Sequence, residues 1–301
     1  MSTTDIAVSR RRRALLLLGS FSLGVTSAGP AHAIVGGAPA PTQAYPFMVS
    51  LRENGFPYCG GTLVAEQWVL TAAHCATGRS DAELTAVVDQ VAVNGDSGQE
   101  RGVDKIVIDP SYNSVSEDYD VALLHLSAPV NGVTPVSLIP AGNSADTSPS
   151  LMATVIGYGS TAPETLSGAG PITYPSMLQQ TQVPLVSNAQ CMQVFNGEQE
   201  PRVDTSLMLC AGGDGRHDAC VGDSGGPLLV DDPATGRLVD VAVTSWGAGC
   251  AVNGVPGVYT RLGEGEIASF VAGTVGSAGA PSTAGAPSRA LSAKRAGSNP
   301  T

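Results

Sequence analysis

The sequence predicts an all-β protein, and three observations carry that prediction. Gly and Pro supply 37 and 21 of the 301 residues, which suits short strands joined by frequent turns. Apolar runs of strand length recur between clusters of turn-forming residues, and long helical periodicity is scarce. Taken in order, residues 47–51, 68–71, 86–88, 105–108, 121–126, 153–156, 228–230 and 238–245 read as strands. One helix is expected near the end, where Ile267, Phe270, Val271 and Val275 recur at helical spacing and can lay one face on the body. The length allows one or two domains.

The two ends differ from the rest in composition. Arg10 to Arg13, the apolar stretch from Ala14 to Val25 and the small-residue site Ala31-His32-Ala33 form the three parts of a secretory signal, so residues 1–33 are expected to direct export. The apolar stretch is too short, and too interrupted by Gly and Ser, to span a bilayer. Arg12-Arg13-Ala14-Leu15-Leu16 is compatible with a twin-arginine route as well as a general secretory one. Residues 276–301 are dominated by Ala, Gly, Ser and Pro and cannot bury a core, so a flexible tail is expected there.

Charge and cysteines narrow the function classes. A formal charge of −11 excludes the basic stripe of a nucleic-acid binder. Without residues 1–33, 11 basic and 25 acidic side chains remain, a charge of −14. Such a body attracts cationic peptides weakly, and the surplus acid also keeps an exported protein soluble. Six cysteines in an exported chain point to three disulfides, but six allow fifteen pairings and spacing alone does not choose among them. No C-x-x-C pair suggests a metal site.

The most informative stretch is Cys220-Val221-Gly222-Asp223-Ser224-Gly225-Gly226-Pro227. A serine hydroxyl is a poor nucleophile unless a base lies within hydrogen-bond reach and a third group orients that base. Thr71-Ala72-Ala73-His74-Cys75 offers the base, and Asp120-Val121-Ala122-Leu123-Leu124 offers a carboxylate at the mouth of an apolar strand. Asp118, two residues away, competes for the acid's place. The order of residues discriminates among hydrolase types. Gly222 to Gly226 fits the G-x-S-x-G elbow, which demands an acid and then a histidine after the serine, yet the last histidine is His217. An acid-first order would need Asp5, inside the signal segment. Only histidine, aspartate, serine survives.

The segments Ile34-Val35-Gly36-Gly37, Ala72-Ala73-His74-Cys75, Asp120-Val121-Ala122-Leu123-Leu124, Gly222-Asp223-Ser224-Gly225-Gly226-Pro227 and Ser245-Trp246-Gly247 resemble, in family order, those of the trypsin/chymotrypsin family of serine proteases. The resemblance covers roughly residues 34–275 and suggests a bacterial secreted member. It implies two six-stranded antiparallel β-barrels, meeting near residues 142–150, with the active site in the cleft between them. It implies that Ser224 attacks a peptide carbonyl, His74 carries its proton, and Asp120 holds the imidazole, while the N–H groups of Gly222 and Ser224 form an oxyanion hole. The acid followed directly by Val-Ala-Leu-Leu is the one that matches, which favours Asp120 over Asp118.

Further roles follow from the same resemblance. Asp218 stands at the floor of a specificity pocket for cationic side chains, Gly247 and Gly257 line its walls, and Ser245, Trp246 and Gly247 offer backbone groups to the substrate. Ala219 supplies no hydroxyl, so arginine is expected over lysine. The disulfides implied are Cys59 with Cys75, Cys191 with Cys210, and Cys220 with Cys250. Cleavage before Ile34 would free an ammonium that pairs with Asp223 and orders the site, making the precursor a zymogen. His32, His125 and His217 match no family role. The family's calcium loop is not evident between Val88 and Lys105, where Asp89, Asp96 and Glu100 are the available acids. Neither a metal nor another cofactor is expected.

The sequence thus suggests a secreted, extracellular serine endopeptidase that cleaves after Arg, and less well after Lys. Its expected partners are protein or peptide substrates and proteinaceous inhibitors, with no nucleic acid, no membrane once the signal is removed, and a monomeric state. The reading from another class is a catalytically inactive family member that binds a partner through its cleft. Such members usually lose one of the three catalytic groups, and this chain keeps all three. An enzyme selective for apolar side chains is opposed by Asp218.

Overall fold

A computed structural model describes residues 34–93, 95, 97–143, 151–163, 172–197, 201–232 and 235–276. The signal segment 1–33, the tail beyond Gly276 and most of the expected barrel boundary, 144–150, lie outside the described residues. Two six-stranded barrels account for nearly all the regular structure. The first is built from β2 (Met48–Glu53), β3 (Phe56–Ala65), β4 (Trp68–Thr71), β5 (Leu84–Val88), β6 (Gln99–Ile108) and β7 (Ala122–Leu126), after a short β1 (Ala38–Pro39). It closes in the order β2-β3-β4-β7-β6-β5, every pairing antiparallel.

The second barrel follows the short β8 (Ser137–Leu138). It consists of β9 (Met152–Gly157), β10 (Gln179–Val186), β11 (Met208–Gly212), β12 (Pro227–Asp231), β13 (Leu238–Trp246) and β14 (Pro256–Arg261). The path β10-β11-β14-β13-β12-β9 closes because β9 also pairs with β10. Closure removes the free strand edges that would invite pairing with other chains. β1 adds to β10, so the segment just after Ile34 is anchored on the second barrel although it precedes the first.

Eight of these strands coincide with the apolar runs read from the sequence. β3, β10, β11 and β14 do not, because they carry residues that ordinarily break strands. β3 contains Pro57 and the pair Gly60-Gly61, and the glycines are there for contact. A Cβ on Gly61 would stand 2.7 Å from the Val69 side chain, and one on Gly60 would stand 3.1 Å from the backbone of Gly226. β10 holds Pro184, and β14 begins Pro256-Gly257.

Among the described residues three α-helices decorate the barrels: α1 (Ala73–Ala76), α2 (Asn188–Phe195) and α3 (Gly265–Val275). α3 is the helix read from the periodicity. Ile267 and Val271 are buried in the main core, with Phe270 and Val275 packed against it. Its start is capped by Glu264, whose carboxylate accepts the N–H groups of Glu266 and Ile267 at 2.8 and 2.9 Å. α2 was not legible as a helix. Ser187 caps it by accepting from Gln190 N–H, and Cys191 ties it to β11 through Cys210. No helix among the described residues is long and apolar enough to cross a membrane.

All three disulfides join the pairs that the resemblance implied: Cys59 with Cys75, Cys191 with Cys210, and Cys220 with Cys250. The closed loops span 16, 19 and 30 positions, each constraining the unfolded chain by about 3 kcal/mol on a chain-entropy account. Ile267→Ala removes a fully buried side chain without touching the cleft, so a loss of about 2–4 kcal/mol is expected, read as a lower urea midpoint.

Candidate active site

α1 and the loop before β7 bring the first two site residues together. His74 lies in α1, and Asp120 lies fully buried two residues before β7. The imidazole Nδ1 stands 2.8 Å from Asp120 Oδ2, while the backbone N–H of His74 donates to Asp120 Oδ1 at 2.9 Å. Nδ1 therefore carries the proton in the neutral ring, which leaves Nε2 as the acceptor. The Ser245 hydroxyl of β13 also donates to Asp120 Oδ2, at 2.5 Å, and the Thr260 hydroxyl of β14 donates to the Asp120 carbonyl at 3.1 Å. Asp118 turns elsewhere and accepts from the Ser116 hydroxyl at 2.7 Å.

Burial by itself depresses the basicity of His74. The hydrogen bond and charge of Asp120, with a smaller contribution from Glu117, outweigh it, so the ring's pKa lies above its ordinary value; Arg79 opposes this.

Ser224 is held between the barrels. Its carbonyl accepts from Gly60 N–H of β3 at 2.7 Å, and the next residue, Gly225, donates to Thr244 O of β13 at 2.8 Å. Gly225 has φ of +81°, and a Cβ there would stand 2.2 Å from Thr71 Oγ1, so only glycine fits the turn. Cys75 Sγ lies 3.6 Å from both His74 Nε2 and the Ser224 carbonyl oxygen, so the imidazole and the serine backbone both adjoin one sulfur. Among the described residues no hydrogen bond joins the Ser224 hydroxyl to His74. Such contacts tighten when substrate excludes water.

The N–H groups of Gly222 and Ser224 have no acceptor among the described residues, while that of Asp223, between them, donates to Cys220 O at 2.9 Å. Gly222 adopts φ of +97° and packs its Cα against Gly159 and Tyr174, where a Cβ would meet them at 3.1 and 3.2 Å. Two donors without an acceptor, two residues apart in one turn, are the kind of groups that can hold a developing oxyanion.

A cavity of about 150 Å³ opens beside Ser224. Asp218, Ala219, Ser245, Trp246, Gly247 and Gly257 all line it, with Val221 and Tyr259 as members that the sequence did not suggest. Asp218 is 2 % exposed. Its Oδ2 accepts from Ala251 N–H at 2.9 Å, whereas Oδ1 has no partner among the described residues. A Cβ on Gly257 would sit 3.1 Å from that oxygen, so glycine keeps the approach open. Burial pushes the Asp218 carboxyl up to about 7, against the pull of backbone donors. Trp246 is braced by Phe195 of α2, edge to face at 5.0 Å between centroids.

Asp223 is fully buried, accepting from Gly159 N–H at 2.8 Å and Cys220 N–H at 2.9 Å. A Cβ on Gly157 would meet its Oδ1 at 2.0 Å, and one on Gly159 would meet its Oδ2 at 2.5 Å. Burial raises this carboxyl also to about 7. Ile34 is fully buried too, and Val35 exchanges backbone hydrogen bonds with Asp218 at 3.1 and 3.2 Å. The expected ion pair between Ile34 and Asp223 requires the free α-ammonium that only cleavage before Ile34 would supply. The Ile34 nitrogen is a peptide nitrogen here and bears no charge.

The remaining candidates have local partners. His125 pairs with Asp104 and His217 with Asp214, each at 2.6 Å, and Glu100 lies 3.7 Å from Arg52. His32 and Asp96 lie outside the described residues. Sequence reasoning missed the hydroxyls of Ser245 and Thr260, the Gly157 and Gly159 slot, and Glu117. Only Ser245 stood in a motif, and there for its backbone.

Comparison with known proteins agrees with this geometry. The family model described as Trypsin matches residues 34–265. A Trypsin of Saccharopolyspora erythraea is 38% identical over 232 residues, covering 76% of this chain and 93% of that protein. A Trypsin of Xenopus laevis is 34% identical over 249 residues, covering 82% of this chain and 93% of its own length. Serine protease 56 of Mus musculus is 39% identical over 249 residues, 81% of this chain, but the match spans only 39% of that longer protein.

Asp218 gives a stability signature. Its native carboxyl keeps a proton to about pH 7, whereas an unfolded one ionises near 4, so stability falls as pH rises between those values and levels above them. Asp218→Asn is expected to match the parent at pH 4 and to exceed it by about 4 kcal/mol at pH 8 in urea unfolding.

Proposed function

The chain belongs to the trypsin family of serine proteases, and from that premise we propose that it is a secreted endopeptidase cleaving after Arg, and less well after Lys, through an acyl-enzyme. The observation that carries this reading is the His74–Asp120 pair, 2.8 Å apart, beside Ser224 and a cavity floored by a carboxylate. Ser224 attacks the scissile carbonyl as its proton passes to His74 Nε2. Asp120 keeps the ring in the required tautomer and stabilises the imidazolium. The N–H groups of Gly222 and Ser224 hold the oxyanion, each contributing about 3 kcal/mol. His74 then protonates the departing amine, and water, activated by the same imidazole, releases the acid.

The free Oδ1 of Asp218 supports a cationic side chain in the pocket. Guanidinium matches a carboxylate as a two-pronged donor, whereas an ammonium relies on extra hydroxyls or water, and Ala219 supplies none. Activation is read from Asp223. Cleavage before Ile34 would create an ammonium to pair with the buried Asp223 carboxyl, which has only backbone donors among the described residues, and signal peptidase is the enzyme proposed to make that cut.

Three measurements test this. The secreted protein should be titrated by a serine-directed phosphonylating reagent, and Ser224→Ala should abolish labelling and lower kcat by on the order of 10⁴-fold or more. On matched amides, arginyl substrates should exceed lysyl, and phenylalanyl should be poor; equal Arg and Lys rates overturn the preference. Amino-terminal sequencing of the active species should begin at Ile34, and an inactive secreted species starting earlier defeats the proposed signal-peptidase route.

A further inference from the structure

Glu117 stands at the imidazole without belonging to any motif. One nitrogen of His74, one oxygen of Glu117 and one of Asp120 all lie within 4.8 Å of one another. The position is built, not incidental. Glu117 sits at φ of +58° in the loop before β7, and its N–H donates to Asn113 O at 2.7 Å. Its carboxylate Oε2 accepts from the Tyr112 hydroxyl at 2.9 Å. Such a backbone conformation is rare for a residue other than glycine.

The groups around His74 come from three segments. Asp120 and Glu117 approach from the loop before β7. Arg79, after α1, donates to the His74 carbonyl at 3.4 Å but is shared with Glu53 at 3.2 Å and stacks on Tyr58 of β3. Ser245 of β13 reaches only Asp120. The span of the three ligand atoms would also suit a metal. Both Asp120 oxygens, however, are already engaged by His74 and Ser245, so electrostatics is the better account.

We propose that Glu117 is a positioning residue, a second anion for His74 that stabilises the imidazolium formed when Ser224 gives up its proton. The inference rests on the catalytic reading above. Burial disfavours the imidazolium, Asp120 and then Glu117 favour it, and Arg79 opposes them. Burial also raises the Glu117 carboxyl, and so does Asp120, while the Tyr112 hydrogen bond and His74 lower it. Neutralising Glu117 should lower the pKa of His74. The base then stays deprotonated to lower pH, while its charged form loses a partner during attack.

The test is the pH profile of kcat/KM for Glu117→Gln, with enzyme counted by phosphonyl titration. The acid limb should move down by about half a pH unit or more, and the plateau kcat should fall a few-fold with little change in KM. Asp118→Asn, in the same loop, should leave the limb in place. A merely structural loss would lower the plateau without moving the limb. Glu117→Ala is the second variant, with the same shift expected. NMR titration of the His74 ring in each protein reads the charge directly, so the inference stays testable even if no substrate is hydrolysed. Failure of phosphonyl labelling in the parent defeats the catalytic reading. An unmoved His74 titration and acid limb in both Glu117 variants overturn the role of Glu117.

Discussion

The carboxylate of Asp120 is the point on which the site depends. It is fully buried, and a buried charge is tolerated only where donors surround it. Those donors come from both barrels: the backbone and ring of His74 from the first, and the hydroxyl of Ser245 from the second. Thr260 adds a bond to the Asp120 carbonyl. One side chain thereby fixes the imidazole's tautomer and the relative placement of β13. Losing any donor would leave part of a charge unsatisfied in a low-dielectric cleft, so the geometry is defended energetically rather than merely permitted.

The second constraint is the absence of side chains. The turn carrying Ser224 passes so close to β3, β4 and Gly159 that Gly222, Gly225 and Gly226 have little or no room for a Cβ. Gly157 and Gly159 likewise clear the slot that Asp223 fills. Dense packing of backbone on backbone orients the N–H groups of Gly222 and Ser224 without a partner, which is the condition for holding charge that appears only during reaction.

Burial is unfavourable for further carboxyls beside the cleft. Asp218 and Asp223 are both raised to about 7 by loss of solvent, each with backbone donors only. Groups held this way would be stabilised in their charged form by any cation brought beside them.

The sequence by itself determined the all-β class, eight of the strands, the C-terminal helix and the order of the catalytic motifs, because alternation of apolar runs and glycine-flanked motifs are local signals. Tertiary structure decided the rest. β3 and β14 have strand-breaking composition and become strands because barrel closure needs glycine where backbones touch. The bonding of Asp120 to His74, the Ser245 hydroxyl on that carboxylate and the approach of Glu117 to His74 are contacts between residues 46, 125 and 43 positions apart. Spacing along a chain cannot encode such proximity, since it is set by how two closed barrels pack across a cleft.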